Sequence, residues 1–316
     1  MPDLTEWAKL EKDKVLAGLF EAIVTANDLM PHLKFLTMEG NSLVYNREST
    51  LPTGVTHQVG DTWTDTEPTF TKKTAALTQV GVQSPLDRFI LNTRGSVQNP
   101  EAVLRLTMAK ALARKIEQQV IVGNPGAVST DMEGILSLLI TDSRLMMMDD
   151  ASTPSTITGD ETELTLDRFD QMIDMVELGK PSLLLMNKTM RRKLTALCRA
   201  AGSGILVSSI NQFGEQVDMY QSIKIGICDW LTNAETYENA SGWASSTATT
   251  ILALKFGQEN QGFTILHNGP VMKPDWQSIG IKPNKNENLY RMVVYIQGAL
   301  FSAKVCAGLA GIDSAA

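Results

Sequence analysis

The stretch from Asn99 to Val122 constrains the fold more than any other part of the chain. Asn99 is a helix-capping residue, Pro100 suits the first helical position, where no amide donor is required, and Glu101 sets a carboxylate at the positive end of the helix dipole. Leu104, Met108, Leu112, Ile116 and Val120 then recur every four residues and form one apolar face. Arg105, Lys110, Arg114, Lys115 and Glu117 cover much of the rest, and Gly123-Asn124-Pro125-Gly126 stops the run. At about 1.5 Å of rise per residue this is a rod of roughly 35 Å.

Upstream of it, Leu4 to Leu29 reads as a helix on which Leu10, Val15, Leu19, Ile23 and Val24 approximate a stripe, ended by Pro31. A helix ahead of the main fold suits an arm or a docking element. Ser42 to Arg47 and Phe70 to Val82 are strand-like. Between them lies Glu48 to Thr69, with Pro52, Gly54, Gly60, Pro68 and many threonines. A hairpin connection takes about 2–5 residues, so this one is far too long for a simple turn. It also carries Leu51, Val55, Val59 and Trp63. Apolar side chains on a protruding loop are a liability in a monomer and make sense where a neighbouring subunit covers them. A disordered insertion is the competing account.

Downstream, a polar, turn-rich stretch up to Thr162 follows the Met146–Met148 run and suggests a boundary. Leu166, Phe169, Ile173 and Val176 form a second amphipathic helix ended near Gly179. Ser182 to Met186 reads as a buried strand, and Asn187 caps a third helix to about Ala200. Ile223 to Cys228, Thr250 to Phe256 and Gly262 to Leu266 read as strands, and Tyr290 to Ala307 as a long β-like segment.

The 316 residues suffice for one large or two medium domains, and 43% hydrophobic with 20% charged residues is ordinary for a globular chain. No apolar run reaches the roughly 20 residues of a membrane helix. The first residues lack a basic then apolar leader, so no secretory signal is expected. A net charge of −7 argues against sequence-reading DNA binding but not against enclosing DNA. Cys198, Cys228 and Cys306 are odd in number and without CxxC spacing, which suits small core residues rather than disulfides or zinc ligands. The chain has no phosphate-binding glycine loop, no dinucleotide fingerprint and no nucleophile elbow. His32, His57 and His267 are mutually distant in sequence, and nothing local supports a Cys228–His267 pair. Asp149–Asp150 reads as a solvated turn and Asp87–Arg88 as a surface or subunit contact. No catalytic, cofactor or metal site is expected.

Other local features carry a family resemblance. Val122-Gly123-Asn124-Pro125 followed by Met132-Glu133-Gly134-Ile135-Leu136 sits just after the long helix. Leu183-Leu184-Leu185-Met186-Asn187 lies at the centre of a helix–strand–helix, Thr249 to Gly257 is a late strand running into a glycine turn, and Asn288-Leu289-Tyr290-Arg291-Met292 opens the closing segment. In order and length these parts resemble the tailed-phage major capsid protein family, whose fold bacterial encapsulin shells share. The resemblance implies an α+β, HK ninety-seven-type capsid fold with an N-terminal arm, an extended β-hairpin loop, a spine helix, and peripheral and apical domains. Its divisions fall at 1–39 for the arm and the lead into the peripheral domain, 40–85 for the extended loop, and 86–150 for the peripheral domain with the spine. The apical domain follows at 151–272 and a closing β-segment of the peripheral domain at 273–316.

The same resemblance implies a major capsid protein of the virion, assembled in the host cytoplasm. It would form hexamers and pentamers that close into an icosahedral head around double-stranded DNA, without sequence-specific binding and without a membrane. Implied partners are further copies of the chain, a separate scaffolding protein, a portal and a decoration protein. Leu51, Val55, Val59 and Trp63 would make inter-subunit contacts, and Leu104, Met108, Leu112 and Ile116 the inner face of the spine. Because the arm leads within about 40 residues to the loop, no fused scaffolding domain is expected. No lysine lies between Arg47 and Thr71, so the inter-subunit isopeptide bond that some members form is not expected, and Lys72 and Lys73 should point to solvent. The alternatives are an encapsulin-like compartment shell, which the arm and the length favour less, and an enzyme on an unrecognised α+β fold.

Overall fold

A computed structural model of the chain describes residues 29, 32–63, 65–94, 99–149, 162–177, 179–202, 206–210, 216–237, 243–244, 248–257, 262–268 and 275–315. The N-terminal arm helix expected over 4–29 lies outside the described residues, save Leu29, which is fully buried. In chain order the strands are β1 (Phe35–Met38), β2 (Ser42–Thr50), β3 (Thr69–Ala76), β4 (Thr78–Asp87), β5 (Leu145–Met147), β6 (Leu183–Met186), β7 (Leu206–Ile210) and β8 (Gln216–Tyr220). They continue with β9 (Ile223–Ile227), β10 (Thr236–Tyr237), β11 (Trp243–Ala244), β12 (Ala248–Leu254), β13 (Phe263–Asn268), β14 (Asp275–Ile281), β15 (Glu287–Leu300) and β16 (Ala307–Asp313). The helices are α1 (Arg88–Arg94), α2 (Pro100–Val122), α3 (Ile135–Thr141), α4 (Leu166–Asp174) and α5 (Lys188–Ala200).

The long helix forms where the sequence places it. Asn99 Oδ1 accepts from the backbone N–H groups of Glu101 and Ala102 at 3.1 and 3.4 Å, and Pro100 opens the first turn. Leu104, Met108, Leu112, Ile116 and Val120 are all buried. At its C-terminus the chain turns back so tightly that a Cβ on Gly123 would lie 2.3 Å from the Met132 carbonyl oxygen and 2.4 Å from that of Gln119. Gly134 N–H donates to the Gly123 carbonyl at 2.9 Å. The buried Gln119 amide ties the return, accepting from Met132 N–H at 2.8 Å and donating to Asp131 Oδ1 at 2.9 Å.

Two sheets flank this rod. In the five-stranded sheet β15 is the axis: β4 pairs along one edge, while β14 and then β13 follow each other along the other, and β1 adds parallel to β13. The seven-stranded mixed sheet runs β5-β16-β12-β6-β9-β8-β7. Every residue of β6 is buried because both its faces are covered. Leu183 and Leu185 join the core around α2, whereas Leu184 and Met186 join a second cluster with Phe169 and Met172 of α4 and Met190 and Leu194 of α5. The α2 core also takes in Val80 of β4, Met292 and Val294 of β15, and Leu252 of β12.

Sheet membership departs from the segment divisions drawn on the sequence. The strand expected over Phe70–Val82 is two strands split at Leu77, and β4, inside the 40–85 span, belongs to the five-stranded sheet. β13, inside 151–272, also pairs in that sheet, whereas β16, inside 273–316, sits in the seven-stranded one. The Tyr290–Ala307 segment is likewise broken by a short 3-10 turn at Ala303–Val305, where the chain leaves one sheet for the other. Each difference is a pairing between strands far apart in sequence, which alternation alone does not encode.

Candidate assembly interface

Among the described residues β2 and β3 pair only with each other, and they carry the 51–68 segment between them. Period-two alternation gives this hairpin an inner face, with Leu43, Tyr45 and Arg47 on β2 and Lys73 and Ala75 on β3 in register. Its root packs through Leu43, Tyr45 and Ala75 on Met38, Leu266, Ala299 and Phe301. The Tyr45 and Phe301 rings meet edge to face with centroids 5.0 Å apart.

An ionic latch holds the root beside this apolar patch. The Arg47 guanidinium donates from Nη1 to Asp142 Oδ1 and Oδ2 at 2.8 and 2.7 Å, from Nε to the Phe301 carbonyl at 3.1 Å, and from Nη2 to the Leu300 carbonyl. Lys73 Nζ reaches Asp142 Oδ1 at 3.3 Å, so one carboxylate grips both strands of the hairpin. Asp142 follows the last residue of α3, where the helix already presents negative carbonyl ends, which reinforces the need for two cations. Burial pushes the nearby Glu133 carboxyl above its usual range, partly offset by Lys73, and burial likewise raises the Tyr45 hydroxyl. Lys73 therefore does not point to solvent as the sequence suggests. The exposed member of the pair is Lys72.

Beyond the root the hairpin is bare. Leu51 is 70% exposed, Val55 49% and Trp63 74%, and Val59 at the tip is fully exposed. The two limbs remain side by side: the Thr50 and Thr69 hydroxyls are 2.5 Å apart, Thr53 N–H donates to Thr66 Oγ1 at 3.0 Å, and the His57 and Trp63 ring centroids lie 4.1 Å apart. A turn at the tip has Asp61 Oδ2 accepting from Gln58 N–H at 2.8 Å, with Gly60 at φ +102°. The structure adds Val44 and Phe70 to this exposed apolar set. Both stood on strands in the sequence reading, and their outward phase was the signal that could have marked them. Leu104, Met108, Leu112 and Ile116, by contrast, lie inside the subunit core, away from any surface.

The described cysteines are core side chains rather than exposed nucleophiles. Burial pushes the Cys228 and Cys306 thiols up to about 11, which keeps both protonated and poorly nucleophilic near neutrality. Among the described residues no group of three or more His, Cys, Asp or Glu side chains could hold a metal ion. Among them, too, no helix is long and apolar enough to cross a membrane.

Residues 12–229 match the model of the phage capsid family. The chain belongs to that family. Among solved structures, the cyanophage A-1(L) capsid is similar at a TM-score of 0.64 and 10% identity, covering 92% of this chain and 94% of that one. The SrpI encapsulin of Synechococcus elongatus is similar at 0.63 and 17%, covering 96% of each chain, and Microbacterium phage Oxtober96 at 0.59 and 13%, covering 98% and 99%. No curated protein matches in sequence. The capsid-family chain thus has the HK ninety-seven-type α+β fold, and it is a shell-forming structural protein.

Proposed function

We propose that this chain is the major capsid protein of a tailed phage, whose copies form hexamers and pentamers that close into an icosahedral head around double-stranded DNA. The observation that carries the reading is the bare hairpin: four large apolar side chains held away from the body on a limb that its own subunit leaves uncovered. Covering each against a neighbour contributes about 1.5–3 kcal/mol. One such contact is modest, but every subunit both gives and receives one, and the contacts reinforce each other around a closed ring. A separate scaffolding protein, a portal and a decoration protein complete the proposed set of partners, and the DNA is enclosed rather than read.

Deleting residues 53–65 tests this. Thr53 N–H and Thr66 Oγ1 are already within hydrogen-bond distance, so the limbs can be rejoined with little change to the β2–β3 ladder. The variant should fold as well as the parent by circular dichroism yet fail to form shells by electron microscopy. Normal shells from it would refute the reading. The SrpI encapsulin similarity supports a second reading, a compartment shell assembled in the same way but not built to enclose DNA. Nuclease-protected DNA in purified particles separates the two.

A further inference from the structure

We propose that α4 and α5 together form a self-complementary ionic surface, on which the acidic stripe of one copy of this chain seats against the basic stripe of a second copy. This rests on the shell reading above and concerns a contact separate from the hairpin. Both helices cover the same face of the seven-stranded sheet, α4 through Phe169, Met172 and Ile173 and α5 through Met190, Leu194 and Cys198. At about 100° per residue, the sides turned away from that core carry Asp167, Asp170 and Asp174 on α4 and Lys188, Arg192 and Arg199 on α5. All but the half-buried Asp170 are exposed.

The signs are segregated rather than mixed. α5 has no acidic residue in its 13 positions, and the one cation of α4, Arg168, donates to Gln171 Oε1 at 3.0 Å and to the Asp149 carbonyl oxygen at 3.4 Å. Segregation gives neither helix stability of its own. Asp170 with Asp174, and Lys188 with Arg192, are like charges four residues apart, which repel. Asp174 closes α4 at the negative end of its dipole and Lys188 opens α5 at the positive end, both against the field. Nor do the stripes neutralise each other within the subunit. Among the described residues no ion pair joins α4 to α5: Lys188 pairs with Asp229 at 3.0 Å, Arg191 with Asp218 at 3.8 Å, and the side chains of Asp174, Arg192 and Arg199 form no ion pair.

The occupant follows from charge and spacing. Asp167 and Asp174 are seven residues apart, and so are Arg192 and Arg199. Seven residues make two turns, so the members of each pair stand about 20° apart around their helix and about 10 Å apart along it. The carboxylate pair of one copy therefore matches the guanidinium pair of another in both sign and distance. A nucleic-acid backbone fits worse, because the acidic stripe beside the basic one repels phosphate. A surface that holds both signs is complementary to itself, and a second copy is the partner that offers both.

Charge reversal tests the contact. Arg192→Glu/Arg199→Glu and Asp167→Lys/Asp174→Lys should each fold, since these side chains are exposed, and circular dichroism with urea unfolding checks that. Each double variant should raise the protein concentration needed for assembly about threefold or more at low salt, and the difference should shrink in about 0.5 M NaCl. Mixed in equal amounts, the two should assemble nearly as the parent does, because each now supplies the sign the other needs. The chain carrying all four reversals should do the same. Reversals that leave assembly unchanged, or a mixture and a four-residue variant no better than either double variant, would overturn the contact while shells of the parent keep the shell reading. An α5 reversal that weakens assembly while the α4 reversal is silent would assign α5 to another acidic molecule and overturn it too. Loss of nuclease-protected DNA with assembly unchanged would assign α5 to phosphate, with the same consequence. Parent protein that makes no shells at all would remove the shell reading and this inference together.

Discussion

At Leu112 the contribution of the long helix α2 to stability can be isolated. Its side chain is 1% exposed in the core that α2 shares with both sheets, whereas Leu106, two turns from the N-terminus of the same helix, is 57% exposed. Leu112→Ala should cost about 2–5 kcal/mol, combining lost transfer energy with a cavity. Leu106→Ala should stay within roughly 0.5 kcal/mol, because alanine suits a helix and no cavity results. Urea unfolding of the unassembled subunit measures both, and equal losses would show that α2 is not packed as described. These residues were legible in the sequence because a four-residue apolar period with a capped start has few other interpretations. The Asp142 latch was not legible: Arg47 and Lys73 lie 95 and 69 residues from their shared partner, and no local pattern links them.

Among the elements, the β2–β3 hairpin has little backbone support from the body, since among the described residues its strands pair with no other sheet. Its direction is fixed by an apolar root and by one carboxylate. The side chains of Asp142 and Arg47 are only 7% and 11% exposed, so removing the carboxylate strands one buried cation and releases Lys73. Asp142→Asn should cost about 3–5 kcal/mol. Amide exchange should quicken in 42–50 and 69–76 and stay unchanged in 104–120, because α2 does not depend on the latch. Uniform acceleration across the subunit would contradict that division. The alternation of Leu43, Tyr45 and Arg47 made the strand visible beforehand, and the length of 48–69 made the projection visible. The boundary at Leu77 was hidden because the apolar and threonine-rich run continues unbroken from one sheet to the next.

For the whole molecule, cohesion of the shell must be non-covalent if the hairpin is as described. Between Arg47 and Thr71 it offers no lysine, Lys73 is engaged with Asp142 within its own subunit, and Lys72 lies on the returning strand near the root. Particles boiled in detergent with reductant should release one band near 34.5 kDa. A ladder of dimers to hexamers surviving that treatment would show that a lysine reaches a neighbour. Fold class was readable from the sequence, and so were several of the described helices and strands, because helix and strand periods are local. The exchange of β13 and β16 between sheets was not, since it depends on pairings made only when the chain closes.

A shell protein of this family associates with copies of itself, and the bare hairpin is the contact proposed for it. Sedimentation velocity of the purified full-length chain, with electron microscopy of the same fractions, measures this most directly. Most of the protein should sediment as rings of five or six chains or as closed shells of uniform diameter. A single boundary at the mass of one or two chains, unchanged as concentration rises, would contradict it.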